Sequence, residues 1–184
     1  MATDLTHDYE IRTTCYPDDD IEGLSVFQLE AITEDDTVIG TLEAVRYASF
    51  PFTLENDGRH LVSVFDSHSS DAAELADDAH KYREEISSIT LLAAPIGFIG
   101  ITSIKVEPDA RGCNLSGSLI EHLEKLHEGM EWIVGLHARP TETSEDGNEP
   151  DLAMQERLAQ HYIEMGFDRP SHKACPHFLV EGWG

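Results

Sequence analysis

The chain predicts an α/β (α+β) fold: a mixed, mostly antiparallel central sheet flanked by helices, in a single domain of residues 1–184. Three patterns carry this. Two alternating runs, Leu24 to Ile32 and Val38 to Tyr47, flank the acidic tip Glu34, Asp35 and Asp36, which makes an antiparallel hairpin. A β-branched run from Ile96 to Val106 leads through a glycine-containing turn into an amphipathic helix. A second amphipathic helix ends at Gly166 and precedes a last short strand.

Composition narrows the function classes. The 184 residues carry 12 Lys+Arg against 36 Asp+Glu, a formal net charge of -24. Such a field repels phosphates, so neither nucleic acid nor an anionic membrane surface is an expected partner. At 40% hydrophobic the chain can bury a core and is no acidic disordered tail. Most basic residues are Arg; the lysines are Lys81, Lys105, Lys125 and Lys173. A lysine-poor, acid-rich surface suits a protein kept soluble in concentrated salt, and an ordinary acidic protein shares it. Met1 to Glu10 has neither a basic n-region nor an apolar h-region, and Leu91 to Ile104 is too short to span a bilayer. Cys15, Cys113 and Cys175 form no regular pattern, so a cytoplasmic, reducing location is expected.

The elements follow in order. Tyr9 to Cys15 is a short strand, and Pro17 to Asp20 is turn chemistry. The hairpin comes next, with Val38, Gly40, Leu42 and Ala44 on one face of its second strand. Leu61 to Phe65 is a strand or the lead-in to a helix. Ser69 to Glu85 is a helix capped by Ser69 or Ser70, with Ala72, Leu75, Ala76, Ala79 and Tyr82 on its apolar face. Gly97 and Gly100 within the run Ile96 to Val106 suggest a bulge or a close backbone approach. A helix from Leu115 to Glu128 repeats Leu115, Leu119, Leu123 and Leu126. Trp132 to Ala138 is a strand and Arg139 to Glu149 an acidic loop. The helix from Pro150 to Met165, with Asn148 as cap, repeats Met154, Leu158, Tyr162 and Met165. His177 to Val180 is the last strand.

The order strand, Arg-Gly turn, helix makes an anion site. A helix N-terminus presents unpaired N–H groups and the positive end of its dipole. Gly112 and Gly117 admit close approach, Arg111 adds a charge-assisted partner, and Cys113, Asn114, Leu115, Ser116 and Ser118 keep the turn small. A pyrophosphate fits here inside an otherwise repulsive protein. An ordinary tight turn is the plain alternative.

Val106 to Ile120, through Pro108, Arg111 and Gly112, resembles the acetyl-CoA loop of the GNAT family of N-acetyltransferases, whose pattern is Arg/Gln-Gly-x-Gly-x-Gly/Ala before an apolar helix. Gln155 to Phe167 resembles that family's second signature, Asn-x-x-Ala-x-x-x-Tyr-x-x-x-Gly-Phe. The resemblance covers residues 96–184. It departs at Asn114 and Ser116, which replace glycine and glycine or alanine, and at Gln155, which replaces the asparagine that touches pantetheine. The family also places its helical pair between the first two strands, whereas here the helix follows the hairpin.

The resemblance implies an acyl-CoA N-acyltransferase-like fold and direct transfer of an acetyl group from acetyl-CoA to the primary amine of a small-molecule or peptide acceptor, with no metal. Ile104, Lys105 and Val106 would pair with pantetheine by strand addition, on a strand that splays from its neighbour. Arg111 to Ser118 would hold the pyrophosphate, Gln155 the pantetheine arm, and backbone N–H groups the thioester carbonyl. Tyr162 would protonate the departing thiolate; its spacing also suits a core aromatic. No base is assigned: Glu43 and Glu107 are candidates by position. A homodimer is the expected assembly. A non-catalytic acyl-CoA-binding module of the same fold is the alternative. A small Rossmann-like nucleotide binder would need parallel strands on either side of the loop, and the Tyr-x-x-x-Gly-Phe segment argues against it. Asp18, Asp19, Asp20 and Glu22 do not match a calcium loop. His172, Cys175 and His177 are too few for a closed zinc site. Cys113 lacks a histidine positioned by sequence. Thr141 to Glu149 is a solvated face or a rim for a cationic amine.

Overall fold

The computed structural model describes residues 8–18, 21, 23–48, 59–87, 97–129, 132–139, 152–170 and 178–183. In chain order the elements are β1 (Tyr9–Pro17), β2 (Leu24–Thr33), β3 (Val38–Tyr47), α1 (Arg59–Asp66), α2 (Ser70–Ser87), β4 (Gly97–Val106), a 3-10 turn (Pro108–Ala110), α3 (Leu115–Leu126), β5 (Trp132–His137), α4 (Leu152–Glu164) and β6 (Phe178–Trp183). The strands form a six-stranded sheet in sequence order. Every pair is antiparallel except β4 with β5, which is parallel and joined through α3. The expected mixed, mostly antiparallel sheet is therefore the one observed. No described helix is long and apolar enough to cross a membrane.

The β2–β3 hairpin closes on its acidic tip. The Thr33 N–H donates to the Thr37 carbonyl at 3.0 Å, and Asp36 sits at φ 60, a left-handed conformation that aspartate tolerates. Alternation then sends Leu29, Ala31, Leu42 and Ala44 to one face and Leu24, Val45 and Tyr47 to the other. Along β5 the same alternation splits Trp132, Val134 and Leu136 from Ile133. Helices cover both faces. α1 and α2 bring Phe65, Leu75, Ala76 and Ala79 to one, and α3 and α4 bring Leu115, Leu119, Leu123, Ala159 and Tyr162 to the other. A strand covered on both sides reads as a continuous apolar run, as β5 does up to His137.

Several expectations change. Leu61 to Phe65 belongs to helix α1. Pro17 is still the last residue of strand β1, and the turn closes just after it, with Asp18 Oδ1 accepting the Ile21 N–H at 2.9 Å. The bulge in β4 is not at a glycine: Glu43 pairs with Ser103 and Ala44 with Ile101, leaving Thr102 as the extra residue. Gly97 instead permits close approach, since a Cβ there would lie 2.1 Å from the Trp132 ring. Helix α4 keeps most of the expected stripe, with Tyr162 buried and Leu158 and Met165 packed partly against the core, and departs from it at its start. Gln155, Ala159 and Tyr162 are buried, and Met154 is 45% exposed. The final strand starts at Phe178 and runs on to Trp183. Ser69 caps α2, its Oγ accepting the Ala72 N–H at 3.1 Å, as expected.

Polar groups tie the helices to the sheet. His127, at the end of α3, donates Nδ1–H to the Leu123 carbonyl at 2.8 Å and lies edge-on to Phe27 and Trp132. On the other face His137 Nε2 meets Asp78 Oδ2 of α2 at 2.9 Å, and Arg139 meets Glu74 at 2.8 Å.

Candidate functional site

The site begins where β4 leaves β5. Their pairing runs from Gly97 with Trp132 to Ile101 with Leu136 and stops there. On its other side β4 stays paired with β3 out to Val106 with Gly40. The edge of β4 from Thr102 to Val106 that faces β5 thus has no ladder partner on β5. The bulge sits at this branch point, with Thr102 Oγ1 donating to the Glu43 carbonyl at 3.2 Å. It also shifts parity. Ile99 and Ile101 face the α3 side before it, and Ile104 and Val106 pack against that same core after it. Lys105 is exposed.

The turn after β4 is ordered by its backbone. The Glu107 N–H donates to the Ile39 carbonyl at 3.0 Å, and the Ala110 N–H to the Glu107 carbonyl at 2.9 Å. Arg111 Nε reaches back to the Val106 carbonyl at 3.3 Å. Gly112 adopts φ 91, and a Cβ built there meets nothing within 4 Å, so its outer side is open. Asn114 takes a left-handed conformation, φ 53 and ψ 31, at the N-cap of α3 and makes no side-chain cap bond. Asn114 therefore supplies the positive φ that the turn requires. The N–H groups of Leu115, Ser116 and Gly117 open the helix without intrahelical partners. Gly117 lies under the Asn114 side chain, and a Cβ there would come within 2.7 Å of Asn114 Oδ1. Cys113 and Arg111 are exposed, and Ser116 and Ser118 are half-buried.

Helix α4 meets this turn directly. Ser116 Oγ lies 3.0 Å from His161 Nε2. One residue on, Tyr162 is 6% exposed, with its ring against His161 and edge-on to Phe167. Burial pushes the Tyr162 phenol up to about 12. Gln155 is 7% exposed, and its Oε1 is buried with no hydrogen-bond partner among the described residues. Such an acceptor is costly unless something donates to it.

An acyl carrier with a pyrophosphate and an amide-bearing arm fits these residues. The open turn offers backbone N–H groups for the former, and the unladdered β4 edge offers backbone groups for the latter. The structure thus puts Ile104, Val106, Leu115 and Tyr162 on one face of the sheet and Ser116 against α4, while Lys105 is exposed and Gln155 lies buried on α4. Glu43 and Glu107 are exposed. No group of three or more metal-ligating residues occurs among the described residues. Asp19, Asp20, Glu22, the loop Thr141 to Glu149, His172, Cys175 and His177 lie outside them. The parallel β4–β5 pair expected of a Rossmann-like binder is present, within an otherwise antiparallel sheet. Three features were not read from the sequence: the bulge at Thr102, the Ser116–His161 contact and the His137–Asp78 pair. His137 did leave a signal, a polar residue closing an otherwise apolar strand.

No protein-family model matches the chain, and no curated protein does. Solved structures do resemble its fold. A variant of agmatine N-acetyltransferase in its apo form aligns over 84% of this chain and 73% of its own, at 13% identity and a TM-score of 0.48. Arylalkylamine N-acetyltransferase 2 from Aedes aegypti aligns over 85% and 73%, at 11% identity and 0.46. AtaTR bound with AcCoA aligns over 88% and 71%, at 11% identity and 0.41. These are distant likenesses of chain path; the roles of residues in this chain rest on its own geometry.

Proposed function

We propose that this chain is an N-acetyltransferase that moves an acetyl group from acetyl-CoA directly to a primary amine. The observation that carries this is the parting of β4 from β5 at Ile101 and Leu136, one turn before an open helix N-terminus. The β4 edge from Ile104 to Val106 would add the pantetheine arm as a short strand, and the Gln155 Oε1 would accept from an amide of that arm. The α3 N-terminus, with Arg111, would hold the pyrophosphate. The Thr102 bulge re-aims backbone N–H groups at the branch point, where they would polarise the thioester carbonyl.

Tyr162 is the proton donor of the proposal. A phenol near 12 stays protonated at neutral pH. An ordinary thiol is near 8.5, so full transfer to a solvated thiolate would be uphill by roughly 5 kcal/mol. The same burial that raises the phenol raises the thiol, which narrows that gap. Tyr162 therefore donates a hydrogen bond first, and its proton moves as the C–S bond breaks.

A non-catalytic acyl-CoA-binding module is the second reading, favoured by the packing of Tyr162 against Phe167. Calorimetric titration with CoA and acetyl-CoA, alongside thiol release with an amine panel led by agmatine and 2-phenylethylamine, separates the two. Binding with transfer supports the enzyme; binding without transfer to any amine supports the module. No binding overturns both.

A further inference from the structure

We infer that His137, held by Asp78, is the base that takes the proton from the attacking amine; this rests on the N-acetyltransferase function proposed above. Leu136 is the last β5 residue paired with β4, so His137 is the first residue beyond the point where the strands part. By alternation it faces the α2 side of the sheet, opposite Leu136 and the α3–α4 core. An acyl group laid into the opening from the α3 side would thus meet an amine arriving from the side of His137.

The chemistry of the pair fits. The His137 and Asp78 side chains are 10% and 15% exposed, with Nε2 and Oδ2 2.9 Å apart. An ionised carboxylate only accepts, so Nε2 carries the hydrogen and Nδ1 keeps the lone pair. A neutral imidazole in one fixed tautomer, with a carboxylate behind it to stabilise the imidazolium, is the arrangement that general-base catalysis needs. Among the described residues, charged and aromatic groups face it from two elements. From α2 come Asp78, whose other oxygen is 3.4 Å from Lys81 Nζ, and Glu74, closed by Arg139. From β6 comes the Phe178 ring.

The step balances. Nδ1 takes a proton from the ammonium, directly or through one water. The amine lone pair attacks the acyl carbon, the C–N bond forms, and the C–S pair leaves with sulfur. Tyr162 protonates the sulfur and recovers a proton from the new amide nitrogen. One proton remains on His137 and passes to solvent.

The test is H137Q, with D78N as the second variant because it keeps the side-chain size. Each is assayed with acetyl-CoA and two probes, 2-phenylethylamine, which is protonated at neutral pH, and 2,2,2-trifluoroethylamine, which is not. For H137Q, kcat/KM should fall at least about 100-fold with the protonated amine and only severalfold with the weakly basic one. CoA affinity should stay within about twofold of wild type. D78N should fall at least about tenfold with 2-phenylethylamine by loosening the tautomer. Equal losses with both amines, or no loss, overturn the assignment by marking His137 as a structural tie. If H137Q does not fold, a D78N profile matching wild type overturns it equally. No turnover by the wild type overturns the proposed function, and this base with it; turnover that is indifferent to both substitutions overturns the base alone.

Discussion

Ser116 Oγ on α3 and His161 Nε2 on α4 lie 3.0 Å apart, across 45 residues of sequence. This contact joins the turn that follows β4 to the helix that carries Tyr162. It couples the orientation of α4 to that of the α3 N-terminus. A half-buried bond of this kind contributes about 1 kcal/mol. S116A should therefore lower Tm by a few degrees and weaken acetyl-CoA binding by less than about tenfold. Thermal unfolding and calorimetry of the same sample check both.

Gly112 separates binding from stability. Its φ of 91 strains any L side chain, yet a Cβ there meets nothing in the protein. G112A should cost about 1–2 kcal/mol of stability through backbone strain. Its Cβ would also stand on the open side of the turn, so acetyl-CoA affinity of the folded protein should fall more than tenfold, a loss of over about 1.4 kcal/mol. A denaturant midpoint and a Kd measured together separate the two effects.

Tyr162 gives a signature in alkali. Its pKa is raised from 10.0 to about 12 by burial, so the fold favours the neutral phenol. That contribution is whole below pH 10 and is lost as pH rises from 10 towards 12, by about 2–3 kcal/mol. Y162F should flatten this part of the stability curve. It should also cut turnover while leaving acetyl-CoA affinity within about threefold, the effect of removing one proton donor. Urea midpoints across pH 9–11.5 test the first, and steady-state kinetics the second.

His127 gives the opposite signature in acid. Desolvation is the larger cause of its lowered pKa, outweighing the raising effect of its bond to Leu123, and Arg46 lowers it further. The fold holds the neutral ring, so its contribution is whole above the ordinary value of 6.5 and is lost as pH falls below it. Wild-type Tm should drop between pH 7 and pH 5. H127N, less stable at pH 7, should show a smaller drop.

The parts of the fold legible in the sequence were those set by local pattern. The span Val38 to Tyr47 was read to the residue, because alternation and an acidic tip both mark it. Asn114 stood out in the sequence where the resembled pattern has glycine, and it takes the left-handed conformation that few other side chains tolerate. What escaped was set by partners. The bulge at Thr102 exists only against Glu43 and Ala44 of β3. The buried face of α4 turns on Gln155, a polar residue inside and not an expected member of the stripe, while Met154 faces out. His137 and Asp78 lie 59 residues apart, and only packing of α2 on β5 joins them. The charge of -24 bore on the partners to expect but said nothing of this pair.

The most direct measurement is turnover of acetyl-CoA by the wild-type chain in the presence of amines. Thiol release is followed with agmatine, 2-phenylethylamine and a panel of primary amines, and the product is weighed by mass spectrometry. The expected result is thiol release that depends on amine, saturates with acetyl-CoA and yields an acetylated amine in equal amount. No amine-dependent release across the panel, with no binding of CoA, would contradict it.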